Sequence, residues 1–235
     1  VRPSPPFTVI LFDVDGTLVL AAGAGRRSLE AALAEACGPL DGRLAPLRLD
    51  GMTDRLIVRE AFGLLGREFS EAACDAVLAR YLEHLARELG HPAFSVLPGV
   101  VDALEALGAR GAAYGLCTGN VAPGARLKLA RGGLDRYFDW SEAGVHGFGD
   151  DGEARELLVH AALARASARL GRRVEPREVL VVGDTPRDVA AAHHAGCPAL
   201  AVATGRFTAD DLAAAGADFV APDLGSEAAR GLLAR

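Results

Sequence analysis

Asp13 and Asp15 stand two positions apart in the string Asp13-Val14-Asp15-Gly16-Thr17-Leu18, directly after the apolar run Thr8-Val9-Ile10-Leu11-Phe12. Side chains of a strand repeat with period two, so both acids leave it on the same side. Carboxylates that close repel one another. A divalent cation relieves the repulsion, and hard oxygen ligands suit magnesium. A carboxylate can also attack phosphorus and form an aspartyl-phosphate. The second carboxyl can then protonate the leaving group and later activate water. Gly16 lets the chain turn tightly behind the pair. A bare acid pair reads equally well as a solvated strand end; the whole DxDGTL string after a buried run favours chemistry.

Two further polar clusters follow apolar runs. Thr118-Gly119-Asn120 ends the run Ala113-Tyr114-Gly115-Leu116-Cys117 and offers a hydroxyl and backbone N–H groups to phosphate oxygens. Taken alone it also reads as an ordinary turn. Gly183-Asp184-Thr185-Pro186-Arg187-Asp188 ends the run Val179-Leu180-Val181-Val182. Asp184 sits at the strand end and Asp188 in the first turn of a helix, where a carboxylate suits the dipole. Together they could complete an acidic metal shell, or they could be a helix cap and a surface acid.

The elements that must position these groups follow an alternating rhythm. The runs at 8–12, 113–117, 179–182 and 199–202 read as strands buried on both faces, with a weaker one at 218–220. Helical spacing recurs between them, over 100–109, 153–170 and 186–195. Strand alternating with helix predicts an α/β fold, a doubly wound parallel sheet of Rossmann-like type. Each polar cluster then lies at the carboxyl end of a strand, the edge at which open parallel sheets bind ligands. Residues 20–95 break the rhythm. They read as helices over about 25–37, 53–65 and 70–90 with no convincing strand, a small helical cap domain inserted after the first strand. The division expected is therefore a core of 1–19 and 96–235 and a cap of 20–95.

Composition sets bounds. The 235 residues are 50% hydrophobic and 24% charged, enough for a sizeable core. A net charge of -6 argues against holding nucleic acid by a general basic surface. No apolar run reaches the ~20 residues of a spanning helix, so no membrane partner is expected. The start, Val1-Arg2-Pro3-Ser4-Pro5-Pro6, has no apolar signal core, which predicts a cytoplasmic protein; Val1 suggests an absent initiating residue. Cysteines 37, 74, 117 and 197 lack metal spacing and read as buried reduced thiols. His193-His194 does not read as a metal pair, because adjacent helical residues point apart. No GxSxG, HExxH or GxxxxGK[ST] string supports another mechanism.

The three clusters, in this order, resemble the haloacid dehalogenase-like hydrolase superfamily over nearly the whole chain. DVDGTL resembles its first motif, TGN its second and GDTPRD its fourth, and the helical segment resembles its mobile cap. The resemblance implies that Asp13 is the nucleophile and that Asp15 is the general acid/base with its carbonyl on Mg²⁺. It implies that Asp184 ligates the metal and that Asp188 does so directly or through water. Thr118 and the Gly119 and Asn120 amides would hold the phosphoryl group. The dehalogenating branch lacks an aspartate at the position of Asp15, so Asp15 points to phosphate. The third motif normally supplies a lysine. Two residues compete for it: Lys128, the lone lysine, and Arg155, nearer the usual place but with a different donor geometry.

The resemblance further implies that the cap selects the substrate, a small phosphorylated metabolite. Gly51-Met52-Thr53-Asp54-Arg55 resembles a cap segment of phosphoglycolate-phosphatase-like members, which makes Thr53 and Arg55 candidates for substrate binding. Arg26 and Arg27 are candidates for an anionic substrate. The reading is a phosphatase of a small monoester, with phosphoglycolate first among the candidates. A phosphomutase would use the same residues. Phosphonate cleavage would need a cap lysine, and none precedes residue 128. A non-catalytic binding protein on this fold would be expected to have lost one of the acids. Monomer and homodimer stay equally open.

Overall fold

The computed structural model describes residues 7–234; the proline-rich start read above lies outside the described residues. In chain order the strands are β1 (Val9–Phe12), β2 (Val19–Leu20), β3 (Ser95–Val96), β4 (Ala113–Leu116), β5 (Val179–Gly183), β6 (Ala199–Val202) and β7 (Phe219–Ala221). The helices are α1 (Ala24–Cys37), α2 (Asp54–Leu64), α3 (Glu71–Glu88), α4 (Val100–Ala109), α5 (Ala122–Arg131), α6 (Arg155–Leu170), α7 (Pro186–His194), α8 (Ala209–Ala214) and α9 (Glu227–Leu233).

Five strands pair in parallel in the order β4-β1-β5-β6-β7. Period-two alternation divides their side chains between two apolar layers. Ile10, Phe12, Leu180, Val182, Leu200 and Val202 face one layer, which α4, α5 and α9 cover with residues such as Leu104, Leu129 and Leu233. Val9, Leu11, Val179, Val181, Ala199 and Ala201 face the other, covered by α6, α7 and α8 through residues such as Leu158, Val189 and Leu212. Both faces are therefore buried, which explains why these strands read as unbroken apolar runs. After β1 the chain builds β4 on one side, then crosses to β5 on the other. That reversal opens a crevice at the carboxyl ends of β1, β4 and β5.

Helices α1, α2 and α3 pack on one another around a third apolar cluster that includes Leu33, Val58, Phe62, Val77 and Leu85. Thr53 and Ser70 cap α2 and α3 by accepting from Leu56 N and Ala73 N. The sequence reading expects no strand in this region. The structure places two short ones at its edges, β2 and β3, paired antiparallel where the chain leaves and rejoins the sheet domain. Two-residue strands have no periodicity to read. Helix α5 was likewise not anticipated, nor were α8 and α9. Helix α6 starts at Arg155, two residues later than expected. Of the four free cysteines, Cys74, Cys117 and Cys197 are buried, whereas Cys37, the last residue of α1, is only partly so. His193 is exposed and pairs with Asp218 (2.9 Å). No helix among the described residues is long and apolar enough to cross a membrane.

Leu104 is fully buried under the sheet. Leu104→Ala is expected to lower unfolding free energy by about 2–5 kcal/mol, measured by urea denaturation, with the fold unchanged by circular dichroism.

Candidate active site

Asp13 follows β1, and its N–H donates to Val182 O (2.8 Å), so the strand pairing itself sets the start of the first polar string. Asp184 follows β5 and Asp188 lies in the first turn of α7. Carboxylate oxygens of Asp13, Asp184 and Asp188 lie within 4.8 Å of one another. All three residues are at most 5% exposed. Gly16 makes this closeness possible: it adopts φ +79°, and a Cβ there would come 2.2 Å from Asp184 Oδ2. Thr17 Oγ1 donates to Asp184 Oδ1 (3.3 Å).

The electrostatics follow from this packing. Burial raises the Asp13 carboxyl to about 6, with Arg155 opposing and Asp188 adding to the rise. Asp184 is pushed up to about 9 by burial, then by Asp188 and Asp13. Asp188 is anchored instead: Oδ2 accepts from Thr185 N (3.0 Å) and Thr185 Oγ1 (2.7 Å), a capping box at the head of α7.

Two buried cations offset the acids, each on different partners. Arg155 opens α6 and is 8% exposed. Its Nη2 pairs with Asp13 Oδ2 (3.0 Å) and also with Asp188 Oδ1, while Nη1 donates to Gly51 O (3.2 Å). Lys128, on α5 and 3% exposed, donates to Asp15 Oδ2 (2.5 Å) and Asn120 Oδ1 (2.6 Å). Burial works against both charges, but their carboxylate neighbours more than offset it and hold both groups protonated. The two rivals for one sequence position thus both reach the site, Arg155 on the nucleophile candidate and Lys128 on its neighbour.

The second cluster joins the same network. Asn120 Nδ2 donates to Asp15 Oδ2 (2.8 Å) and to Thr118 Oγ1 (2.8 Å). Asn120 N also points to Thr118 Oγ1 (3.4 Å), so that amide is partly occupied within the loop. Gly119 passes so close to the helical segment that a Cβ would come 2.1 Å from Met52 O. Its carbonyl accepts from Asp54 N (2.8 Å).

The proposed selectivity residues are placed differently. Thr53 is buried; its hydroxyl caps α2 and donates to Glu153 O (2.9 Å), and it does not line the main cavity. Arg55 is held away from it by Asp75 (2.8 Å) and Glu71. Arg26 borders the cavity, but its guanidinium bonds Glu30 (2.8 Å) and the carbonyls of Leu44 (3.1 Å) and Leu47 (3.2 Å). Arg27 pairs with Glu88 (2.7 Å). The structure adds two groups that sequence reading did not single out, Asp54 and Tyr81, which line the cavity beside Lys128. Asp54 lies inside the string already marked at 51–55, but only the rotation of α2 decides that it, and not Arg55, faces inward.

Known proteins are similar over most of the chain. The family model for haloacid dehalogenase-like hydrolases matches residues 7–196. A phosphoglycolate phosphatase of Rhodospirillum rubrum is 36% identical over 223 residues, covering 92% of this chain and 88% of that protein. A phosphoglycolate phosphatase of Synechococcus elongatus is 33% identical over 222 residues, covering 90% and 91%. The solved structure of a hydrolase of the same superfamily from Entamoeba histolytica superposes with a TM-score of 0.71 at 18% identity, covering 97% of this chain and 99% of that one, which speaks to fold alone. The chain belongs to the haloacid dehalogenase-like hydrolase family, and within it to the phosphatase branch that these relatives represent.

Proposed function

We propose that the protein hydrolyses a small phosphate monoester with Mg²⁺, through an aspartyl-phosphate on Asp13. The observation that carries this reading is the buried convergence of Asp13, Asp184 and Asp188 beside Asp15 and Arg155. The donor set fits a hard divalent cation: all its atoms are carboxylate oxygens, and Asp184, raised by burial and by the other acids, lacks a cationic partner among the described residues. Asp13 and Asp184, with the Asp15 carbonyl, would hold Mg²⁺, and Asp188, already bonded to Arg155 and Thr185, would act through water. The ion would supply charge neutralisation at a phosphoryl oxygen.

In the first step an Asp13 carboxylate oxygen attacks phosphorus and the ester oxygen leaves with a proton from Asp15. In the second, Asp15 takes a proton from water as the hydroxide attacks phosphorus, which releases inorganic phosphate and restores Asp13. Lys128 and Asn120 hold one oxygen of Asp15, and its other oxygen is left for this proton traffic. Arg155 and Thr118 steady the nucleophile and the transferring group, so Arg155 takes the place of the third-motif base. Residues 20–95 would serve as the cap over the core of 1–19 and 96–235; their separate apolar cluster supports this. The names of the relatives put phosphoglycolate first on a substrate panel.

Phosphate release from a panel of small esters is expected to require Mg²⁺ and to fall to background in Asp13→Asn; release that survives Asp13→Asn would sink the covalent route. Asp15→Asn should lower kcat by about 10²–10⁴-fold for alkyl esters. In kcat/KM, which reads only the first step, the loss should be much smaller with 4-nitrophenyl phosphate, whose leaving group needs no proton, while its kcat still falls because water attack lacks its base; steady-state kinetics on the two ester classes would check this.

The raised acids also predict a pH dependence of stability. A carboxyl that binds its proton more tightly folded than unfolded destabilises the fold as pH rises from its ordinary value towards the folded one. For Asp184 that window runs from 3.8 to about 9. Metal-free protein should therefore lose stability across it, and Asp184→Asn should melt at least about 2–4 °C higher than wild type at pH 8, the shift that ~1 kcal/mol gives a domain this size. Mg²⁺ should raise the wild-type midpoint and leave that of Asp184→Asn unmoved, as read by differential scanning calorimetry.

A further inference from the structure

The cavity over the catalytic groups has a volume of about 530 Å³. At ~30 Å³ per water that is room for well over ten waters, far more than a phosphoryl group needs. Away from the acids its wall is largely apolar, with Leu20, Leu29, Leu49 and Ile57. Asp54 interrupts that wall. It is the first residue of α2, and two bonds fix it to both sides of the phosphate loop. Its N–H donates to Gly119 O (2.8 Å), and its Oδ2 accepts from Val121 N (2.9 Å).

The other oxygen, Oδ1, has no hydrogen-bond partner among the described residues. It is not sealed either, because the sealed side-chain polar atom left without a partner among those residues is Ser28 Oγ. It therefore keeps access to solvent, and Asp54 lines the cavity. Burial pushes the Asp54 carboxyl up to about 6, with Lys128 opposing the rise, so the group is still ionised at neutral pH.

The cations at the cavity wall are already engaged. Arg155 holds Asp13 and Asp188, Lys128 holds Asp15, Arg206 faces Asp50 (3.2 Å), and Arg26 is bonded within the helical segment. A carboxylate on the leaving group would meet Asp54 with no unpaired cation among the described residues at the cavity wall to receive it, and like charges so placed repel. A hydroxyl or an ammonium would instead satisfy Oδ1.

We propose that Asp54 is a specificity-determining residue that accepts a hydrogen bond from a hydroxyl or ammonium on the leaving group, so that the enzyme favours phosphate esters of polyols or amino alcohols over esters that carry a carboxylate there. The proposal rests on the phosphatase reading but departs from the ester in the relatives' name. Sites built around a buried polar group discriminate strongly against a partner that leaves it unpaired.

The test compares kcat/KM for glycerol 3-phosphate, phosphoethanolamine and phosphoglycolate, in the wild type and in Asp54→Asn, which keeps an acceptor for Val121 N. Wild type should favour at least one donor-bearing ester over phosphoglycolate by tenfold or more. Asp54→Asn should shrink that ratio at least tenfold. A greater loss with phosphoethanolamine assigns the ammonium, a greater loss with glycerol 3-phosphate assigns the hydroxyl, and an equal loss shows that Asp54 takes either donor. A wild-type preference for phosphoglycolate overturns the proposal, as does a folded Asp54→Asn with an unchanged ratio; the wild-type ranking decides alone if the variant does not fold. If no ester is turned over, the hydrolytic reading fails, and calorimetric affinities of the same three esters with Mg²⁺ still decide this one. Tighter binding of a donor-bearing ester supports it; tighter binding of phosphoglycolate, or no binding of any, overturns it.

Discussion

Four carboxylates share one crevice at the ends of parallel strands, and the protein must hold them there against their own repulsion. Three lie within 4.8 Å of one another and are nearly free of solvent. Burial and proximity favour the protonated forms of Asp13 and Asp184. The sheet supplies the placement, because β1 and β5 are neighbours in register and each delivers an aspartate from its last turn outward. The helices supply the countercharge. Arg155 enters from α6 on one layer and Lys128 from α5 on the other, so each face of the sheet contributes one buried cation. Neither cation is interchangeable with the other. Arginine holds two carboxylates through Nη2 and a carbonyl through Nη1, whereas lysine gathers an acid and an amide oxygen around one point charge.

Segment 50–54 ties the helical region to this centre by main-chain contacts. The Gly51 carbonyl receives Arg155, the Asp50 carbonyl receives Arg187 (2.7 Å), and Asp54 N meets Gly119 O. Glu153 strengthens the junction by pairing with Arg59 (2.7 Å). The residue that neutralises the nucleophile candidate therefore also grips the wall of the main cavity. Under the proposed function, chemistry and selection would be joined through a single guanidinium.

Much of this was legible in the sequence for a physical reason. Asp13, Asp15, Asp184 and Asp188 sit in short contiguous strings beside apolar runs, and a strand end converts such a string directly into a place. The same holds for the sheet, whose doubly buried strands need no partner to be recognised. Other features depend on rotation and packing that one-dimensional spacing does not carry. The resemblance of segment 51–55 singles out Thr53 and Arg55, yet α2 turns Asp54 to the cavity and Arg55 to Asp75 and Glu71. Place along the chain favours Arg155 over Lys128 for the third-motif position, but which acid each cation touches depends on packing that spacing does not carry. Strands β2 and β3 escaped because two residues cannot display a period.

Lys128 is the sole lysine among 25 basic residues, and it is 3% exposed at the wall of the candidate active-site cavity. The surface, served by arginine alone, offers no ε-amine to acylating or alkylating reagents. Side-chain amine chemistry in this protein is thus confined to one spot, and its progress would report only on how open that cavity is and how firmly Asp15 keeps hold of the ammonium.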